Sequence, residues 1–156
     1  MKCIIETPVG NLLLRETAGG ISEISFTEQK AFWNEGCFLK QAADQLDEYF
    51  KGKRTVFDFP LDVEGTVFQK QVWDALYRIP FGETRSYQEI ACEIGRPKAS
   101  RAVGMACHVN PVVIAVPCHR VIGKNGSLTG FGGGLDKKSY LLEFEKGQTD
   151  LQNSDS

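Results

Sequence analysis

Polar and apolar positions alternate over the first 26 residues and then change period. Cys3–Glu6, Leu12–Arg15 and Ile21–Phe26 read as short strands, with turn-forming residues at Pro8-Val9-Gly10-Asn11 and Ala18-Gly19-Gly20 between them. From Cys37 to Phe50 the residues Phe38, Ala42, Leu46, Tyr49 and Phe50 recur near helical spacing, and Gly52 follows as a stop. Arg54–Phe59 predicts one more strand, and the turn-rich stretch 60–65 a domain boundary.

Beyond the boundary the period is helical. Thr66-Val67-Phe68-Gln69 has the form of a capping box, in which the first and fourth side chains each satisfy the other's backbone N–H. Phe68, Val72, Ala75, Leu76 and Ile79 continue its apolar stripe up to Pro80-Phe81-Gly82. Ser86-Tyr87-Gln88-Glu89 is a second capping box, opening a helix to about Ile94. Gly95-Arg96-Pro97 makes a turn, and the next helix runs from Lys98 to about His108. Two short helices across a glycine turn form a candidate helix-turn-helix. Asp136–Lys146 predicts a last helix with Tyr140, Leu141 and Phe144 on its apolar face. The pattern therefore predicts an α/β protein: a small antiparallel sheet with a helix over 1–62, a mostly helical domain over 63–147, and a polar, disordered tail over 148–156.

Charge is unevenly distributed. The formal net charge is -2, so the chain as a whole is no polycation. Between Thr84 and Lys124, however, six Lys and Arg face only Glu89 and Glu93, about +4 in one stretch that contains the helix pair. Five cysteines, an odd number with no Cys-x-x-Cys, argue against a disulfide framework or a zinc ribbon and for a reducing compartment. The apolar run after Met1 is too short for a signal peptide, and none approaches membrane-spanning length. These features predict a soluble, intracellular protein without a membrane partner.

The candidate chemistry lies in Asn110-Pro111-Val112-Val113-Ile114-Ala115-Val116-Pro117-Cys118-His119-Arg120-Val121. An apolar run delivers one cysteine, flanked by proline, histidine and arginine, into a turn. A free thiol has a pKa of about 8.5, and an adjacent imidazole and guanidinium would favour the thiolate. Cys3, Cys37, Cys92 and Cys107 read as structural cysteines, the ordinary state of a free thiol in a core.

Pro117-Cys118-His119-Arg120-Val121, with Asn110-Pro111 upstream, resembles the active-site motif of the O6-alkylguanine-DNA alkyltransferases. Gly82-x-x-x-Ser86-Tyr87-x-x-Ile90-Ala91, Arg101-Ala102-Val103-Gly104, Gly130-Phe131-Gly132-Gly133-Gly134-Leu135 and Leu141-Leu142-x-x-Glu145 follow in family order and spacing. The resemblance is strong over about 66–146 and holds only in outline over the N-terminal sheet. It implies a ribonuclease-H-like first domain and a winged helix-turn-helix-like second one. It also implies irreversible, single-use transfer of a methyl or larger alkyl group from O6 of guanine in DNA to Cys118. Alkylated O4 of thymine stays open as a further substrate.

By the same resemblance, His119 deprotonates Cys118 through a water, Glu145 orients His119, and Asn110 ties down the turn before the active-site strand. Tyr87 helps turn the damaged nucleotide out, and Arg101 fills the gap in the stack. Extrusion is physically required because the alkylated oxygen is buried in the duplex. Ala99, Ala102 and Gly104 would let the second helix approach the minor groove closely. Arg120 would contact DNA, and Phe131, Gly132 and Gly133 would belong to the substrate loop. No cofactor and no metal are implied, since the zinc-binding Cys and His set of some relatives is missing. The protein would act as a monomer on double-stranded DNA, in the cytoplasm, or the nucleus of a eukaryote.

Two positions depart from the family pattern. Phe131 stands where many relatives carry tyrosine, and Cys107-His108-Val109 replaces a segment that often holds a basic residue. A hydroxyl contact near the leaving group and one phosphate contact are expected to be lost. Two other readings are disfavoured. Alkyltransferase-like damage binders lack the reactive cysteine, and a Cys–His hydrolase would leave the helix-turn-helix unexplained.

Overall fold

The computed structural model describes residues 1–123 and 134–154. Their contacts divide into two compact units, 1–64 with 111–115, and 65–110 with 116–156. No helix among the described residues is long and apolar enough to cross a membrane.

In the first unit, β1 (Lys2–Ile5), β2 (Asn11–Thr17) and β3 (Gly20–Thr27) form an antiparallel sheet in that order. Cys3 lies opposite Leu14, and Leu14 opposite Ile24. This register puts Cys3, Leu12, Leu14 and Ile24 on the buried face, as strand alternation requires. α1 (Cys37–Phe50) covers the sheet with Leu39, Ala42, Leu46 and Tyr49. Its first turn lacks a capping side chain of its own; Glu16, from β2, accepts from Leu39 N at 2.9 Å instead.

The expected strand at Arg54–Phe59 does not form. Those residues run without a ladder, held by Asp58 N donating to Gln45 Oε1 at 3.0 Å. Phe57 and Phe59 are buried, Phe57 against the Tyr49 ring. Their alternation thus reflects packing, not pairing. The outer edge of β3 is partly covered. Ile21 bridges Leu61, and Ile24 bridges Val112, with Val113 N donating to Ile24 O at 3.0 Å.

In the second unit, α2 (Val67–Tyr77) starts at Thr66 and α3 (Tyr87–Glu93) at Ser86, both with complete capping boxes. α3 ends in a Schellman motif: Gly95 at φ 78° lets its N–H reach Cys92 O while Arg96 N reaches Ala91 O. Gln88 clamps the following turn, donating to Pro97 O and accepting from Ser100 Oγ. α4 (Ser100–His108) then packs Val103 and Ala106 inward, and Trp73 of α2 donates to Ala106 O at 2.9 Å. β4 (Arg85–Ser86) pairs in parallel with β5 (Val121–Ile122). The last helix, α5 (Leu135–Ser154), continues past Lys146, so most of the segment expected to be a disordered tail is helical. Thr149 Oγ1 donates to Glu145 O at 3.0 Å within that extension.

Candidate active site

Pro117 leads into a single 3-10 turn, Cys118–Arg120, closed by Arg120 N donating to Pro117 O at 2.9 Å. β5 follows at once. Its pairing with β4 ties this turn to the residues that open α3, so Tyr87 is anchored by the same two strands. Upstream, Asn110 Nδ2 donates to Val116 O at 2.8 Å, and its side chain also hydrogen-bonds the Cys118 thiol. Asn110 therefore holds the approach to the cysteine and favours its charged form.

Cys118 is only 3% exposed. Burial pushes its thiol up to about 11, against the opposing pull of Asn110 and the Lys138 ammonium. The neighbouring imidazole and guanidinium expected to favour the thiolate do not act that way, because both are turned onto Glu145.

His119 is fully buried, and its Nε2 lies 2.7 Å from Glu145 Oε2. Burial pushes the Glu145 carboxyl up, but His119 and Arg120 outweigh that and hold it well below the usual carboxylate range. An ionised carboxylate only accepts, so Nε2 carries the imidazole proton and donates it. Burial also lowers the imidazole pKa, which favours the neutral ring. Its lone pair is then on Nδ1, a buried atom without a hydrogen-bond partner among the described residues. An imidazole lone pair fixed on Nδ1 by a carboxylate at the opposite ring nitrogen, in the residue that follows Cys118, suits proton abstraction.

Arg120 corrects the expectation of a DNA contact. It is 4% exposed, with Nε 2.8 Å from Glu145 Oε1, Nη2 3.0 Å from Oε2, and Nη1 2.7 Å from Ile79 O. Its guanidinium also lies 5.7 Å from the centroid of the Phe81 ring. The side chain braces the carboxylate. Gly82 completes this shell: its N–H donates to Glu145 Oε1 at 3.4 Å, at φ 81°, and a Cβ there would collide with Thr149.

The remaining candidates are placed as follows. Tyr87 is half-buried, and a Cβ added at Gly104 would meet its ring at ordinary contact distance. Arg101 and Ala102 are exposed on α4, and Ala99 caps that helix, half-buried. Phe131, Gly132 and Gly133 lie outside the described residues. Among the described residues, no cluster of three His, Cys, Asp or Glu could hold a metal.

Lys138 and Gly82 were missed as parts of this site. The available signal for Lys138 was its position on α5, three residues before Leu141 and seven before Glu145, on the helix's buried stripe.

Fold and site define a helix-turn-helix protein whose second unit holds a buried cysteine followed by a histidine paired with a glutamate. Residues 67–147 match the family described as 6-O-methylguanine DNA methyltransferase, DNA binding domain, and residues 2–63 match its ribonuclease-like domain. The chain belongs to the 6-O-methylguanine DNA methyltransferase family. It is 50% identical over 150 residues to the methylated-DNA–protein-cysteine methyltransferase of Methanosarcina barkeri, covering 92% of this chain and 95% of that one. The protein of the same name from Mycobacterium tuberculosis is 50% identical over 149 residues, 91% of this chain and 90% of that one. Among solved structures, Mycobacterium tuberculosis OGT in complex with DNA superposes with a TM-score of 0.85 at 49% identity, over 93% of this chain and 92% of that one.

Proposed function

We infer that this chain repairs DNA by direct reversal, taking a methyl or larger alkyl group from O6 of guanine onto Cys118. The observation that carries this reading is the buried line from Glu145 through His119 beside the cysteine, in which the imidazole proton is fixed on Nε2 and the lone pair on Nδ1. His119 Nδ1 takes the thiol proton through a water. Sulfur forms a bond to the alkyl carbon as the carbon–O6 bond breaks, and the electron pair of that bond leaves with guanine. Guanine regains overall the proton that the thiol gave up. The product is a thioether, stable to water and to thiols, so each molecule acts once.

The reacting oxygen is reached by turning the nucleotide out of the duplex. α4 approaches from the minor groove through Ala99, Ala102 and Gly104, Arg101 enters the stack, and Tyr87 contacts the extruded base. The exposure of Arg101 and the small side chains of α4 support this assignment. The protein acts as a monomer in the cytoplasm; five cysteines outside any disulfide are in keeping with that compartment.

The test is incubation with a duplex oligonucleotide containing O6-methylguanine, followed by intact-mass and peptide-mass measurement. A gain of one methyl group on the peptide containing Cys118 is expected. Cys118→Ala is expected to bind the duplex and transfer nothing; methyl loss from DNA in that variant would remove Cys118 as acceptor.

A further inference from the structure

Gln88, the second residue of α3, spends its side-chain amide on its own helix and on the turn and helix that follow. Its Nε2 donates to Pro97 O at 2.7 Å and to Cys92 Sγ at 3.3 Å, and its Oε1 accepts from Ser100 Oγ at 2.8 Å. A carbonyl oxygen only accepts, so the Pro97 contact fixes which way the amide faces. α2 and α3 begin in complete capping boxes, whereas Ala99, at the start of α4, has no side-chain oxygen to offer. The Ser100 hydroxyl is turned to Gln88, so the start of α4 is held from outside, by α3. One turn further along α4, a Cβ added at Gly104 would lie 3.8 Å from the Tyr87 ring.

We propose that Gln88 is a positioning residue for nucleotide extrusion, whose bond to Ser100 holds Tyr87 and Arg101 at one spacing, a role that rests on the repair reading above. Each residue assigned to extrusion is the sequence neighbour of one end of this bond, Tyr87 of Gln88 and Arg101 of Ser100. Tyr87 meets the extruded base while Arg101 fills the gap it leaves, so both must reach the same nucleotide step together. The backbone bonds of the turn run from Gly95 and Arg96 back to α3, and from Ala99 to Arg96 within the turn. The Gln88–Ser100 bond instead spans from helix to helix, at the end of α4 that carries Arg101. Because the bond is exposed, it sets direction more than stability. Rate is the more sensitive quantity here, since a small misplacement of a substrate-positioning group costs far more in rate than in folding.

The experiment compares Gln88→Ala, Ser100→Ala, the double variant and Ser100→Thr in the full-length protein. Methyl transfer to the Cys118 peptide is timed by mass, from O6-methylguanine in a duplex oligonucleotide and from free O6-methylguanine, with thermal melts to verify folding. Gln88→Ala and Ser100→Ala are each expected to slow transfer from the duplex roughly five- to tenfold, what one neutral hydrogen bond is worth, and to leave transfer from the free base at the wild-type rate. The double variant is expected to be no slower than Gln88→Ala, because its second deletion has no partner left to lose. Ser100→Thr keeps the hydroxyl and is expected to match wild type. Additive losses would overturn the proposal by making the two side chains independent, as would equal losses on both substrates or wild-type rates throughout. A single variant that fails to fold would also overturn it, because the bond would then be holding up the fold. Wild-type protein that takes methyl from neither substrate would sink the repair reading and this role with it; the other adverse outcomes count against Gln88 alone.

Discussion

Glu145 serves two buried groups with one carboxylate, so its loss strands both. In Glu145→Gln, Arg120 keeps its charge in a site with almost no solvent, and breaking one side of such a buried pair costs about 3–5 kcal/mol. Urea denaturation should show that loss, and methyl transfer by whatever folded fraction remains should fall because the amide no longer dictates which imidazole nitrogen holds the proton. Arg101→Ala is expected to do the opposite: little change in stability, weaker repair in duplex DNA, and much less effect on a free O6-alkylguanine base. Equal losses on both substrates would contradict a role in extrusion. Cys118 and His119 were legible in the sequence because they belong to one contiguous motif. Glu145 was legible only through the family, since a lone glutamate on a helix is usually solvated. The direction of Arg120 was not legible at all. In a turn with three residues per revolution, consecutive side chains diverge, and spacing does not say which one faces inward.

Signals satisfied within a few residues, the hairpin strands included, agree with the structure, and those that need a distant partner do not. Both capping boxes form where the sequence places them because each is satisfied within four residues. Ser86→Ala should therefore cost about 1 kcal/mol in a denaturant titration. The same change loosens the turn that bears Tyr87, so duplex repair should slow further than global stability accounts for. The Arg54–Phe59 segment misled because a strand needs a partner edge that its own residues do not encode. The two-residue ladder between Arg85–Ser86 and Val121–Ile122 was hidden for the same reason. α5 was cut short because residues after Lys146 are polar and carry no apolar stripe, yet a helix already nucleated on Leu141 and Glu145 propagates at little cost. Ending the chain after Gly147 would move Glu145 into the last turn, where the helix dipole disfavours a negative charge. A loss of roughly 1 kcal/mol and slower transfer are expected, read by thermal melts and by the oligonucleotide assay.

The chain divides after Glu64, and 111–115 belongs to the sheet unit because Ile24 bridges Val112, a contact 88 positions away in sequence and invisible to any local pattern. Stability as a whole should depend on pH through a few buried groups. Glu145 is depressed from 4.5 and His119 from 6.5, so what each contributes is present above those values and is lost as pH falls through the folded ones. Cys118 and Cys107 are raised from 9.0 to about 11 and about 12, and Cys3 shifts the same way through burial. Their contribution is complete below 9.0 and is lost as pH rises through the folded values. Lys138 works against them, because burial pushes it down from 10.5 and raising the pH relieves that cost. Denaturation free energy should therefore be flat between 6.5 and 9.0 and fall on both sides. The alkaline limb should be shallower than the roughly 4 kcal/mol per pH unit that three buried thiols alone would give. Cys118→Ala should flatten that limb and leave the acid limb in place. An alkaline limb that Cys118→Ala leaves unchanged would mean that the thiol is already ionised in the folded protein at neutral pH, and that burial does not set its state.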